Sequence, residues 1–269
     1  MKKNLKKLLS TSLVFLGLLS FGVSPETVLA SDTKEYEVNN MEELKEIIYN
    51  LNSELQEDYS NEKNEDLRSD ELEKLISETN PDILKDYTEK INDEIKDIIN
   101  NAEGLECIVN TNDVTSSTQT FELSDGGIVE ITQTISPLDN KNINARTFYP
   151  WGDNEYEVDY RVKHTLYPDT HLCLVTTFDV NKQNIECTSS STKGTSTVFP
   201  VTVTKSSKVY KSKASKKDEY IGAQGDYTVT VGGYDGIGFV SMDYTIKSKI
   251  KLNYIGTSGA EVKASYSAQ

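Results

Sequence analysis

Residues 240–254, VSMDYTIKSKIKLNY, decide the fold. Val240, Met242, Tyr244, Ile246, Ile250, Leu252 and Tyr254 share one parity, and Ser241, Asp243, Thr245, Lys247, Lys249, Lys251 and Asn253 share the other. Side chains alternate across a strand, so this pattern predicts a strand with one buried and one wet face. Ser248 alone interrupts the apolar series. At roughly 3.3 Å per residue the stretch would extend about 50 Å, well beyond a usual strand. A bend near Lys247, Ser248 and Lys249 is therefore expected, with the strand serving two sheets or two neighbours. Its outward lysines form a basic stripe. One reading is a solubilising face that discourages edge pairing. The other is a docking surface for acidic helices of the same chain or for an anionic cell surface.

Outward from this strand, residues 106–269 are rich in Val, Ile, Thr, Tyr and Ser, and strands dominate the reading. Residues 118–123 and 128–135 flank SDGG, a hairpin turn in which Gly accepts positive φ. Residues 156–164 and 171–178 flank a turn expected at 167–170, Tyr-Pro-Asp-Thr. Shorter strands follow at 185–189, 198–204 and 209–213, with a basic loop at 212–218. Tyr227, Val229 and Val231 alternate with polar neighbours, and Ala260, Val262, Ala264 and Tyr266 do so in a last strand. Many short strands with regular turns point to an antiparallel sandwich or barrel.

Residues 31–105 read as helix. Leu44, Ile47, Ile48, Leu51 and Leu55 recur at helical spacing behind Asn40, with Glu43 as capping-box partner. A polar linker at 60–68 leads to a short helix capped by Ser69, with Leu72, Leu75 and Ile76 inside. The strongest helix starts at Asn80-Pro81-Asp82, carries Leu84, Tyr87, Ile91, Ile95 and Ile98, and stops at Gly104. The three apolar stripes can form a small bundle or lie on the sheet. The fold class is thus α+β: an acidic helical region, 31–105, before an antiparallel β domain, 106–269.

The formal charge of −15 is unevenly shared. Residues 31–105 hold 23 acidic and 8 basic side chains, and residues 106–269 hold 19 and 16. Such acidity argues against nucleic-acid binding, which needs a basic footprint. The first 30 residues read as a signal peptide: Lys2, Lys3, Lys6 and Lys7, an apolar run over 8–23, and Val28-Leu29-Ala30 before a cut after Ala30. The mature protein is expected outside a bacterial cell.

Candidate chemistry is sparse. Export favours a disulfide, and a short strand-turn-strand would bring Cys173 opposite Cys187, leaving Cys107 over. His164 and His171 lie on the two arms of the expected 167–170 turn, where a symmetric register would set them on one face with Asp169 between. That arrangement could hold a transition metal, but a third strong ligand is lacking, and structural or surface roles are the simpler expectation for both. There is no G-x-S-x-G elbow, phosphate loop, dinucleotide fingerprint or calcium loop. No cofactor is expected. Eleven of the fifteen tyrosines follow Glu106, and ordinary sheet packing explains most of them. Phe148, Tyr149 and Trp151, around Pro150, are the candidate ligand-contact aromatics, because a rigid ring with a polar tip can stack on a sugar or anchor a protein. The sequence therefore reads as a secreted, non-enzymatic binding protein whose partner is an extracellular protein, a glycan or a cell surface. A membrane-active β-pore protein is the first alternative, since 240–254 exceeds the length of a spanning strand. An unrecognised secreted hydrolase is the second.

Overall fold

The computed structural model describes residues 38, 40–58, 65–102, 115–138, 148–195, 197–198, 200–232 and 240–269. The expected leader with its cut, Cys107, Gly104 and the connectors at 139–147 and 233–239 lie outside these residues. Three helices come first: α1 (Met41–Asp58), α2 (Glu65–Glu78) and α3 (Pro81–Asn101). Asn40 Oδ1 accepts the Glu43 N–H at 3.0 Å, and Asn80 Oδ1 accepts the Asp82 N–H at 2.9 Å, so both expected caps form. Helix α2 begins four residues before the expected Ser69 cap, with Glu65 and Asp66 at its positive end.

The strands are β1 (Thr115–Glu122), β2 (Ile128–Pro137), β3 (Phe148–Pro150), β4 (Gly152–His164), β5 (Tyr167–Val180), β6 (Ile185–Gly194), β7 (Thr197–Val198), β8 (Val201–Lys211), β9 (Lys213–Ala214), β10 (Tyr220–Val231), β11 (Val240–Ile255) and β12 (Gly259–Ala268). They make two open antiparallel sheets of six strands, ordered β1-β2-β4-β5-β6-β9 and β3-β12-β11-β10-β8-β7. This is the expected α+β, sandwich-like architecture. Helices and sheets belong to one compact unit, Glu35–Gln269. The inward faces share a core that includes Ile131, Tyr156, Val158, Leu174 and Phe178 from the first sheet and Ile221, Tyr227, Ile246, Ile250 and Leu252 from the second. Leu44, Ile48, Leu75, Leu84, Tyr87, Ile91 and Ile95 join it from the helices. None of the described helices is long and apolar enough to cross a membrane.

Strand β11 does not divide between two sheets. It lies in the middle of the second sheet, paired with β10 from Val240↔Val231 to Lys251↔Tyr220 and with β12 from Ile246↔Ala268 to Ile255↔Ala260. Its irregularity falls between Leu252 and Tyr254 instead of at Ser248. There the extra residue turns Tyr254 to the wet face opposite Glu261, and its ring is 57% exposed, where simple alternation had buried it.

Ser248 breaks the apolar series because it bonds in three directions. Its hydroxyl meets Thr176 Oγ1 of the facing sheet at 2.7 Å and accepts the Ala223 N–H at 3.0 Å, while its carbonyl accepts the Tyr210 hydroxyl at 2.8 Å. Beside it, β8 and β10 shift register between Gly222 and Ala223. A Cβ on Gly222 would stand 2.4 Å from the Ser248 carbonyl oxygen, so the close approach requires glycine. Ser248→Ala leaves a buried N–H and the Thr176 hydroxyl short of a partner. We expect it to lower unfolding free energy by about 1–3 kcal/mol in urea titration, and Thr176→Val to cost less when Ser248 is already Ala.

Candidate functional site

Two polar assemblies stand out, one buried and one exposed. The buried one forms where the helices meet the turns of the first sheet. Leu123 and Gly127 close the SDGG turn with an N–H···O bond of 2.7 Å, and Gly126 takes φ 80°. The turn carries Asp125 inward, and its Oδ1 accepts the Gly127 N–H at 3.1 Å. Oδ2 accepts from the Tyr87 hydroxyl of α3 and lies 2.8 Å from His164 Nε2 at the end of β4. The Leu166 N–H donates to His164 Nδ1 at 2.9 Å, so Nε2 carries the proton that faces Asp125. Asn52 of α1 donates to the Asp125 carbonyl at 3.0 Å and accepts from the Thr165 N–H and hydroxyl, both at 2.8 Å. The Tyr167 hydroxyl donates to Asn92 Oδ1, and Glu94 receives Ser124 N–H and Oγ–H, each at 2.7 Å.

The sequence singled out only His164 from this group. Asn52 and Asn92 carry a usable signal, being polar residues beside Leu51 and Ile91 on otherwise apolar stripes. The His164 and Asp125 side chains are 0% and 3% exposed. A general base must reach its substrate's proton, so this sealed group is a structural joint. Burial pushes the Asp125 carboxyl up, but the hydrogen bonds from His164, the Tyr87 hydroxyl and the Gly127 N–H outweigh it and hold it at about 2. Burial, then the charge of Asp125, raises the Tyr87 hydroxyl.

The expected pairing of the histidines is corrected. The β4–β5 turn is Thr165-Leu166, and Arg161, not His164, lies opposite His171. Register and burial alternate, so His164 points into the core while His171 points outward, its Nδ1 3.4 Å from Asp159. Among the described residues, no three His, Cys, Asp or Glu side chains gather as a metal set.

The expected disulfide is corrected in the same way. The β5–β6 turn spans 181–184, where Asn181 Oδ1 accepts the Gln183 and Asn184 N–H groups, each at 3.0 Å. Cys173 consequently faces Lys193 and Cys187 faces Phe178, and both are free, buried thiols. Burial, then the charges of Glu157 and Asp159, raises the Cys173 thiol, which makes it a poor nucleophile beside His171. Burial pushes Cys187 up to about 11. Of the proposed aromatics, Trp151 is half-buried against the core. Phe148 and Tyr149 lie on the edge strand β3, opposite Glu261 and Ala260, and their side chains are outside the described residues.

The exposed assembly covers the outer face of the second sheet. Lys247, Lys249 and Lys251 run along β11, with Lys263 of β12 directly opposite Lys251. Gln224 lies between Lys247 and Lys208 of β8. Tyr220 holds Lys211 Nζ at 3.9 Å and Lys249 Nζ at 4.7 Å over its ring. Tyr210 is 40% exposed on the neighbouring strand. Carboxylates are present too: Asp218 meets Lys251 at 2.7 Å and Asp226 meets Lys208 at 3.6 Å. Residues 205–269 nevertheless hold ten lysines against six acidic side chains, in a chain of net charge −15. Lys251 and Lys263 stand directly opposite each other, and Asp218 is the carboxylate that meets Lys251.

The depressed Asp125 carboxyl fixes a pH dependence. Its folded value lies below the ordinary 3.8, so the stabilisation is whole above pH 3.8 and disappears as pH falls toward about 2. The window amounts to about 2 kcal/mol. Asp125→Asn should lack that acid-dependent loss and unfold more easily at pH 7, both readable from urea midpoints across pH.

No family model matches the chain, and no curated protein matches it. A crystal structure of a hypothetical protein from Listeria monocytogenes is similar at 15% identity, covering 57% of this chain and 94% of that one, with a TM-score of 0.23.

Proposed function

We infer that the chain is an exported, non-enzymatic binding protein that engages an extracellular surface through the outer face of its second sheet. One observation carries this reading: the lysine row lies on β11, the strand between β10 and β12. Lysines that guard a sheet against unwanted pairing belong on edge strands. On a central strand they guard nothing, yet three of them recur along β11 with Lys263 opposite Lys251. The exposed rings of Tyr210 and Tyr254 lie on the same face, and rigid rings of this kind are favoured at binding surfaces. The groups most suggestive of catalysis support the reading from the other side. His164 and Asp125 are sealed, and the Cys173 thiol is held protonated beside carboxylates.

Export rests on the N-terminal leader read from the sequence. A secreted protein with a basic contact face should be retained by bacterial cells and released by salt, because exposed charges are screened beyond a Debye length of about 8 Å at physiological ionic strength. Replacing Lys247, Lys249 and Lys251 together by Glu should abolish retention of the fluorescently labelled protein on washed cells, with circular dichroism showing that the variant is folded. Retention equal to that of the unaltered protein would refute the assignment of the face.

A further inference from the structure

We propose that the partner of this face is the headgroup surface of an anionic lipid bilayer, a proposal that rests on the binding face inferred above. The sequence left two occupants for the basic stripe, and the fold separates them. Acidic helix α3 meets the second sheet on its inward side: the Tyr266 hydroxyl donates to the carbonyl of Ala102, the C-cap of α3, at 2.7 Å, and burial, then the Asp93 charge, raises the inward Tyr244. Lys247, Lys249 and Lys251 point away from that side, so the chain's own acidic helices do not occupy them.

The shape of the array selects among external anions. Its cations spread in two directions. Along β11 they recur every second residue, about 7 Å apart, and across β8, β10, β11 and β12 the strands stand about 4.8 Å apart. The positions Lys208, Lys247, Lys249, Lys251 and Lys263 spread over three strands, with Asp226 and Asp218 beside Lys208 and Lys251. A single polyanionic chain can follow only one line of such an array, whereas a bilayer meets the whole of it. Tyrosines accompany the row. Tyr254 lies beyond Lys251 on β11, and Tyr210 of β8 lies level with its middle, its hydroxyl donating to the Ser248 carbonyl. Tyr is favoured at headgroup depth, where its ring enters the interface and its hydroxyl stays wet. The long lysine stems reach past the sheet to the phosphates. Charge separation within the molecule orients it, since residues 31–105 hold 23 acidic side chains against 8 basic ones. An anionic plane repels that region and attracts the lysine face.

The test uses vesicles of phosphatidylglycerol and phosphatidylcholine, pure phosphatidylcholine vesicles, and soluble polyphosphate as competitor. The protein is used without residues 1–30, which lie outside the compact unit Glu35–Gln269. Each lysine near an anionic surface is worth about a fivefold gain in partition. Lys→Glu at 247, 249 and 251 together should weaken sedimentation with phosphatidylglycerol vesicles by about 100-fold or more. Tyr254→Ala should weaken it several-fold, and phosphatidylcholine alone should not bind. Circular dichroism and the unfolding midpoint establish that the variants are folded. Equal binding of the triple variant, or no binding to phosphatidylglycerol vesicles, overturns the proposal. If cells still retain the protein through these lysines and polyphosphate releases it while vesicles do not bind, the partner is a soluble-type polyanion and the lipid assignment falls alone. If neither cells nor vesicles respond to the triple change, the binding face falls with it.

Discussion

A carboxylate taken out of water must be satisfied, and Asp125 is the group around which this fold meets that requirement. Its two oxygens draw in a hydroxyl from α3, an imidazole from β4 and the N–H of Gly127, while its carbonyl engages Asn52 of α1. Apolar burial supplies most of the driving force for the helices to cover the sheets, but that force is non-directional. It would accept α1 and α3 in many positions. The charged bonds accept few, because a misplaced helix leaves Asp125 buried without partners, at a cost of several kcal/mol. The joint therefore gives the helices a place, and the apolar stripes hold them there.

Ser248 plays the matching part between the sheets. Both devices bury a polar group, and each is bonded by groups far away in the chain. Thr176 lies 72 residues from Ser248, and His164 lies 39 residues from Asp125. Fully satisfied polar groups in a low-dielectric interior specify one arrangement, since any alternative strands them.

Much of this was legible in the sequence wherever the signal was local. The α1 and α3 caps, the Gly126 turn and the alternation of β11 each depend on a few neighbouring residues. The failures share one cause. His164 and His171, and Cys173 and Cys187, were placed by assuming symmetric turns at 167–170 and near 180. The turns form at 165–166 and 181–184 instead, and both pairings shift register on the way, between Val162 and His164 and between Thr177 and Phe178, which sets the expected partners apart. Tyr254 was misplaced by one bulged residue. Asp125 was invisible because nothing in SDGG shows that two helices will close over it. Register and closure are non-local, and period-two patterns do not encode them.

The exposed face shows the opposite relation between pattern and meaning. The lysines of β11 were plain in the sequence, but a basic stripe on an edge strand and one on a central strand are written identically. Only strand order distinguishes them. With β11 flanked on both sides, edge protection has no edge to protect, and with α3 docked on the inward side, that acidic helix does not cover the row. Solubility does not require the row either, because the chain already carries a net charge of −15. Adding positive charge to an acidic protein lowers the magnitude of its net charge and works against solubility. A concentration of lysines on the central strand of this face, with Tyr254 exposed beside it, is what a contact surface of opposite charge outside the molecule would use.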